Sequence, residues 1–235
     1  MVLLKAGLSE SGSGAVASHT ASLAGSRQVW EALFKQTGAI SVDTLEESVE
    51  QLVALQSLPA IRGRRVGLVG RGGGIGVVAT DMSEREGLKV PPLSQETRER
   101  LTKIVAADSG STIRNPVEIG LGLKGVSEHY VAGLEMIAAD PMIDFVISFL
   151  NPEDYLHYGV KGWVEDIVKG LIDAKKRLSK PFVAVFLQGQ NVEVFQSILQ
   201  IQRECLKEGI GCFGSMDAAI RAVGKLITYY QNKED

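Results

Sequence analysis

The strongest constraint on this chain is a series of short apolar runs without polar alternation: residues 66–69 (VGLV), 144–150 (DFVISFL), 182–187 (FVAVFL) and 211–213 (GCF). Strands that are apolar on both faces belong inside a sheet covered from both sides. Stretches with helical spacing separate the runs. Ser94 is placed to cap a helix reaching Val105, and Val131, Leu134 and Ile137 share one face over 128–139. Val160, Val164, Ile167, Val168 and Leu171 form a stripe over 159–178, and residues 192–207 are helical. Ser215 caps a last helix that buries Ile220, Val223, Leu226 and Ile227. Strands alternating with helices imply crossover connections and a parallel sheet. The expectation is an α/β fold over residues 61–235, a doubly wound parallel sheet of flavodoxin-like plan. Ligands then gather at the carboxyl ends of the strands, near residues 70–74, 151–154, 188–190 and 214–215.

Residues 1–60 follow a different rhythm and are read as a separate unit, joined to 61–235 by the basic connector IRGRR at 61–65. After the apolar Val2-Leu3-Leu4 comes KAGLSESGSGAVASHTASLAGS, residues 5–26, a stretch of small residues read as a loop around one imidazole, His19. On composition it is a mobile arm; a loop that presents His19 is the other reading. A short helix over 29–35 ends near Gly38, and 39–42 is extended. Thr44 and Glu47 have capping-box spacing, followed by Leu45, Val49, Leu52 and Val53 at helical intervals up to Pro59.

Several function classes fall away. The formal net charge of −3 offers no basic surplus for nucleic acid. No apolar run reaches the ~18 residues of a membrane span, and the start lacks a secretory pattern. Cys205 and Cys212 have no CxxC or metal-ligand spacing, and two thiols in 235 residues fit a reducing cytoplasm. His129 and His157 lack a second ligand at a recognised interval, and Asp, Glu and Cys are not clustered, so no metal site is expected.

Three constellations can carry chemistry. Gly70-Arg71-Gly72-Gly73-Gly74-Ile75-Gly76 lies between a strand and a helix. It fits neither GxGxxG nor a P-loop. It is either a tight turn or a helix N-terminus whose bare amides receive an anion. In Ser18-His19-Thr20 an imidazole, nucleophilic toward phosphorus, stands between two hydroxyls, with Glu10 as the nearest carboxylate in sequence. Asn115-Pro116-Val117-Glu118 holds an amide that can bridge backbone groups in a structural turn.

Taken in order, KAG-x-SE-x-G…ASHT-x-x-LAGS resembles the phosphohistidine segment of NDP-forming acyl-CoA synthetases of the ADP-forming acetate–CoA ligase type, relatives of succinyl-CoA synthetase. The likeness continues through residues 42–47 (VDTLEE), 65–69 with the glycine loop, 93–98 (LSQETR) and Asn115-Pro116-Val117, covering most of residues 3–150. The chain departs from the family at Leu8 (Arg), Ala21 (Gly), Gly70-Arg71-Gly72 (Thr-Asn-Ala) and Glu118 (Asp).

The resemblance implies a phosphoryl relay between acyl-CoA + ADP + phosphate and acid + CoA + ATP. His19 would be the carrier, with Ser18, Thr20, Gly72, Gly73, Gly74, Ile75 and Gly76 around the phosphoryl group. It further implies a succinyl-CoA synthetase-type domain after a phosphohistidine loop and helical arm. Residues 1–60 would be the end of a truncated domain, with Val2–Leu4 as a strand without its sheet. CoA and ADP/ATP with Mg would serve the complete enzyme, with none held stably here. CoA-binding and ATP-grasp subunits would be the partners, in a cytoplasmic homo- or hetero-oligomer. The alternative is a non-catalytic remnant α/β domain that binds an anionic metabolite or a protein.

Overall fold

A computed structural model describes residues 1–20, 25–105, 112–120, 126–157, 162–189 and 191–234. In chain order the elements are β1 (Val2–Leu4), α1 (Glu10–Thr20), α2 (Arg27–Thr37), β2 (Ile40–Val42), α3 (Leu45–Ser57), β3 (Val66–Gly70), α4 (Gly73–Arg85), α5 (Gln95–Leu101) and β4 (Val117–Glu118). They continue as α6 (Val126–Ala139), β5 (Phe145–Leu150), α7 (Pro152–His157), α8 (Gly162–Lys175), β6 (Phe182–Phe186), α9 (Val192–Lys207), β7 (Gly211–Phe213) and α10 (Met216–Glu234). No helix of the described residues is long and apolar enough to cross a membrane.

β3 to β7 form one parallel sheet of five strands in the order β4-β3-β5-β6-β7. This is the doubly wound, flavodoxin-like order, with the direction of winding reversing beside β3. The apolar runs feed two cores, one on each face. Val146, Leu150 and Phe186 point to the core built with α5, α6, α8 and α9. Phe145, Ile147 and Val185 point to the core built with α3, α4 and α10. The alternation of strand side chains between two apolar cores is why these strands show no polar alternation. Ala54 and Leu58 of α3 lie in the same core as Val66 and Ile227, across the connector at 61–65. Arg221 of α10 meets Glu47 at 3.1 Å and Glu50 at 2.9 Å, fastening α3 from the outside.

The structure corrects several expectations in the first sixty residues. The stretch read as a loop over 5–26 is helical over Glu10–Thr20. Ser9 starts that helix, its hydroxyl accepting from the Gly12 amide at 3.1 Å and its carbonyl from Ser13 at 2.8 Å. Gly12 and Gly14 lower helix stability by roughly 1 kcal/mol each without forbidding it. Val2–Leu4, expected to lack a sheet, pairs in parallel with β2, Val2 opposite Ile40 and Leu4 opposite Val42. The intervening α1 and α2 supply the crossover that a parallel pair needs. Thr44 accepts from Glu47 at 3.0 Å as expected, but Glu47 returns its bond to the Asp43 amide, at 2.9 Å, rather than to Thr44.

Further along, helix α4 begins at Gly73 rather than after a seven-residue loop, so Gly73, Gly74 and Gly76 lie in its first turn. After α4 the chain returns past the start of β3 with one bridge, Arg65 to Lys89. The short α7 follows β5 without a sequence signal. The start of the helix read over 159–178 falls in 158–161, outside the described residues, as do 106–111, 121–125 and the segment from Ala21 to Ala24.

Candidate functional site

The winding reversal places the end of β3 between the ends of β4 and β5, with Gly70 opposite Glu118 on one side and Phe149 on the other. In such sheets this crevice receives the ligand. Asn115 ties the crevice floor: its carbonyl oxygen accepts from Leu68 at 2.9 Å, and its amide donates to Val66 at 2.8 Å and Pro91 at 3.0 Å. The bridging role expected of this amide is therefore met.

The glycines after β3 divide by physical cause. A side chain on Gly70 would place its Cβ 2.3 Å from the Phe149 carbonyl oxygen. A Cβ on Gly76 would press on Pro116 at 3.2 Å. Gly72 holds φ +107° at the helix cap, a conformation that side chains disfavour. Gly74 differs: nothing lies within 4 Å of where its Cβ would be, and it is exposed. Packing does not explain a glycine there.

The expected phosphate-binding amides also divide. Ile75 and Gly76 donate to the Gly72 carbonyl at 2.9 and 3.1 Å. Gly72 donates to Glu118 Oε1 at 2.9 Å. Gly74, in the first turn of the helix, carries no such hydrogen bond among the described residues. A thirteen-residue helix behind it supplies positive potential. The N-terminus of α9 is closed instead: Asn191 Oδ1 accepts from Glu193 at 2.9 Å, and Glu153 Oε1 accepts from the Asn191 amide at 3.0 Å.

His19 is exposed on the last turn of α1. Ser18, expected to face a phosphoryl group, donates its hydroxyl to the Ala15 carbonyl at 2.9 Å. The Thr20 side chain lies outside the described residues. Glu10 stands at the opposite end of α1, roughly 13 Å away by helical rise. Among the described residues α1 has no extensive packing contact with α4 or any other element.

Carboxylates with shifted titration lie at the other end of the sheet. Burial pushes Asp144 up, but hydrogen bonds from the Arg65 side chain and amide outweigh it and hold the acid below its ordinary range. Asp140 is likewise held low by Thr97, Met142 and Ser94 against its burial. Asp144 secures the amino ends of β3 and β5, and Asp140 ties the cap of α5 to the turn before β5, both stabilising tasks. Among the described residues no group of three His, Cys, Asp or Glu could hold a metal. The Glu118 contact had no local sequence signal; only strand order brings it to Gly72.

Comparison with known proteins follows the same outline. A domain family described as a succinyl-CoA ligase like flavodoxin domain matches residues 1–55. The chain is 30% identical over 233 residues to the α subunit of acetate–CoA ligase [ADP-forming] II of Pyrococcus furiosus, covering 99% of this chain and 48% of that subunit. It is 30% identical over 229 residues to acetate–CoA ligase [ADP-forming] I of Archaeoglobus fulgidus, covering 97% of this chain and 30% of that enzyme. The structure of the dinucleotide forming acetyl-coenzyme A synthetase 1 of Ca. Korarchaeum cryptofilum, in complex with phosphate and ADP, superposes with a TM-score of 0.79 at 24% identity, over 99% of this chain and 47% of that one. The chain thus spans half or less of the length of these relatives.

Proposed function

We propose, for a chain that belongs to the NDP-forming acyl-CoA synthetase family as an α-subunit-like part, that it carries the phosphoryl relay of such an enzyme on His19. In the direction of ATP formation, phosphate displaces CoA from acyl-CoA and gives an acyl phosphate. An imidazole nitrogen of His19 attacks that phosphorus, the P–O bond to the acyl group breaks, and the free acid leaves. The N–P bond then breaks as ADP accepts the phosphoryl group and becomes ATP. CoA and the nucleotide, with its Mg, are assigned to partner chains.

The observation that carries this proposal is one of presentation. His19, flanked by Ser18 and Thr20, sits exposed on a helix that has no extensive packing among the described residues, in a chain that also presents the open Gly74 amide at a winding reversal. Electrostatics supports it. A phosphoryl group on His19 would lie at the negative end of α1, where anions are disfavoured. The Gly73 and Gly74 amides offer it the positive end of α4. The energetic preference runs from α1 toward α4, and movement of the His19 segment connects them.

Partners follow from what the fold leaves open. Among the described residues the sheet formed by β1 and β2 has two strands, marginal by itself. Beside it, Leu45, Val49 and Leu52 of α3 are 70%, 62% and 55% exposed in one stripe. This face is assigned to the CoA-binding or ATP-grasp chains. The setting is the reducing cytoplasm, where the buried Cys205 and Cys212 remain thiols.

Incubation of the chain with γ-labelled ATP and an ATP-grasp partner tests the assignment. An acid-labile, base-stable label lost in His19→Ala is expected; equal labelling of that variant sinks it. A non-catalytic, anion-binding domain is the second reading. It is favoured by Glu118, whose carboxylate takes one of the first amides that an anion would need. Phosphate binding without labelling in the presence of partner would establish it.

A further inference from the structure

We infer that Trp30 is a clasp on which both ends of the His19 segment close, making it a positioning residue for the movement of His19; the last step rests on the phosphoryl-carrier proposal above. Lys5 leaves β1 and places its ammonium 5.3 Å from the centre of the Trp30 ring. That is cation–π range. Gly25, where the chain returns, has φ +75°, and a Cβ there would lie 3.1 Å from the indole nitrogen of Trp30. One indole ring thus meets the residues that bound 6–24 at each end.

The ring is itself braced. Ser26 caps α2 by accepting from the Val29 amide at 3.2 Å, one residue before Trp30. Phe34, one turn on, has its ring 6.1 Å away at a tilt of 41°. α2 ends at Gly38 and leads into β2, which pairs with β1, the strand that Lys5 extends. Exit and return of residues 6–24 are therefore tied to the same small unit of β1, α2 and β2.

Among the described residues α1 has no extensive packing contacts, and an eleven-residue helix is marginal in isolation. The position of His19 is consequently set at the base of the segment. A closed base restricts the volume the imidazole explores and keeps its transfers oriented. Gly25 needs to be glycine on two counts, its positive φ and the approach of the indole.

The chain has two tryptophans, so Trp163→Phe leaves Trp30 as the one indole reporter in the full protein. In that background Lys5→Met should raise acrylamide quenching of Trp30 about two- to five-fold, matching loss of an exposed cation–π contact. The same quenching in both chains overturns the clasp. With the ATP-grasp partner present, Trp30→Ala should slow labelling of His19 without changing the KM for ATP, and Trp30→Phe should recover most of the rate. Unchanged labelling in Trp30→Ala overturns the positioning role. Quenching needs no phosphorylation: if Lys5→Met responds while no variant labels, the clasp stands and the carrier proposal falls.

Discussion

Glu118, at the end of β4, accepts a hydrogen bond from the amide of Gly72 at 2.9 Å across 46 residues of sequence. Under the proposal that the start of α4 receives an anion, this carboxylate repels it. It also withholds the Gly72 amide from that anion. Glu118→Gln removes the charge and keeps the shape. Inorganic phosphate should then bind at the start of α4 about five-fold more tightly, the equivalent of about 1 kcal/mol. Amide shifts of Gly72, Gly73 and Gly74 followed during phosphate titration measure this. Equal affinities in the two proteins would mean that the carboxylate does not compete.

Gly74 and Gly76 separate function from packing. An added methyl at Gly74 meets nothing within 4 Å, and replacing glycine by alanine in a helix gains up to about 1 kcal/mol. Gly74→Ala should therefore preserve or raise the melting temperature while reducing phosphate binding at α4, because the methyl group narrows access to the amides. Gly76→Ala should instead lower stability, since its methyl presses on Pro116 at 3.2 Å. Thermal melts beside phosphate titration distinguish the pair; parallel losses of stability in both would deny Gly74 its open approach.

The α/β domain was legible because burial on both sheet faces writes itself as unbroken apolarity. Phe182–Phe186 and Val192–Lys207 were readable almost to the residue, as was the buried stripe of α10 from Ile220 to Ile227. The helix around His19 was not, because Gly12, Gly14 and three serines suggest a loop, and the cap at Ser9 is a local contact that composition hides. Pairing of β1 with β2 was missed because a parallel pair carries no hairpin signal. Periodicity found Leu45, Val49 and Leu52 but does not say whether an apolar stripe packs within the chain or faces outward. The resemblance drew His19 out of a segment that composition made an arm. The Glu118 contact needed the order β4-β3-β5, a fact of topology rather than of spacing.

Acid should weaken the protein through identifiable groups. Burial raises Glu47, but the Asp43 amide, Lys225 and Arg221 together hold it below its ordinary 4.5. Asp144 is held below 3.8 by Arg65 against its own burial. A carboxylate with a lower folded pKa contributes stability that is complete above the unfolded value and vanishes as pH falls through the folded one. Stability should hold down to about pH 4.5 and decline below it on account of these groups. Asp144→Asn should be less stable at pH 7 by about 1–2 kcal/mol and show a shallower acid decline. Urea midpoints from pH 7 to pH 3 check both; an identical slope in the variant would remove Asp144 from the explanation.

Leu45, Val49 and Leu52 make the sharpest claim about assembly. They occupy one exposed face of α3, while Gln51 and Ala54 of the same helix are buried. Gln51 donates to the Ala222 carbonyl of α10 at 3.2 Å, and Arg221 bridges Glu47 and Glu50, so α3 is fixed to the domain from its other side. The exposed stripe is then free to bind without disturbing the fold. Val49→Lys places a charge at the centre of that stripe, where its own domain makes little use of the valine. The melting temperature should change little, because a surface substitution away from packing costs within about 0.5 kcal/mol. Association with the CoA-binding or ATP-grasp chain should weaken at least ten-fold if the stripe lies at the centre of the interface, since a buried, unpaired charge costs well over 1.4 kcal/mol. Co-sedimentation of wild type and variant with each partner measures it. Undiminished association with both partners would place their seats elsewhere on the chain.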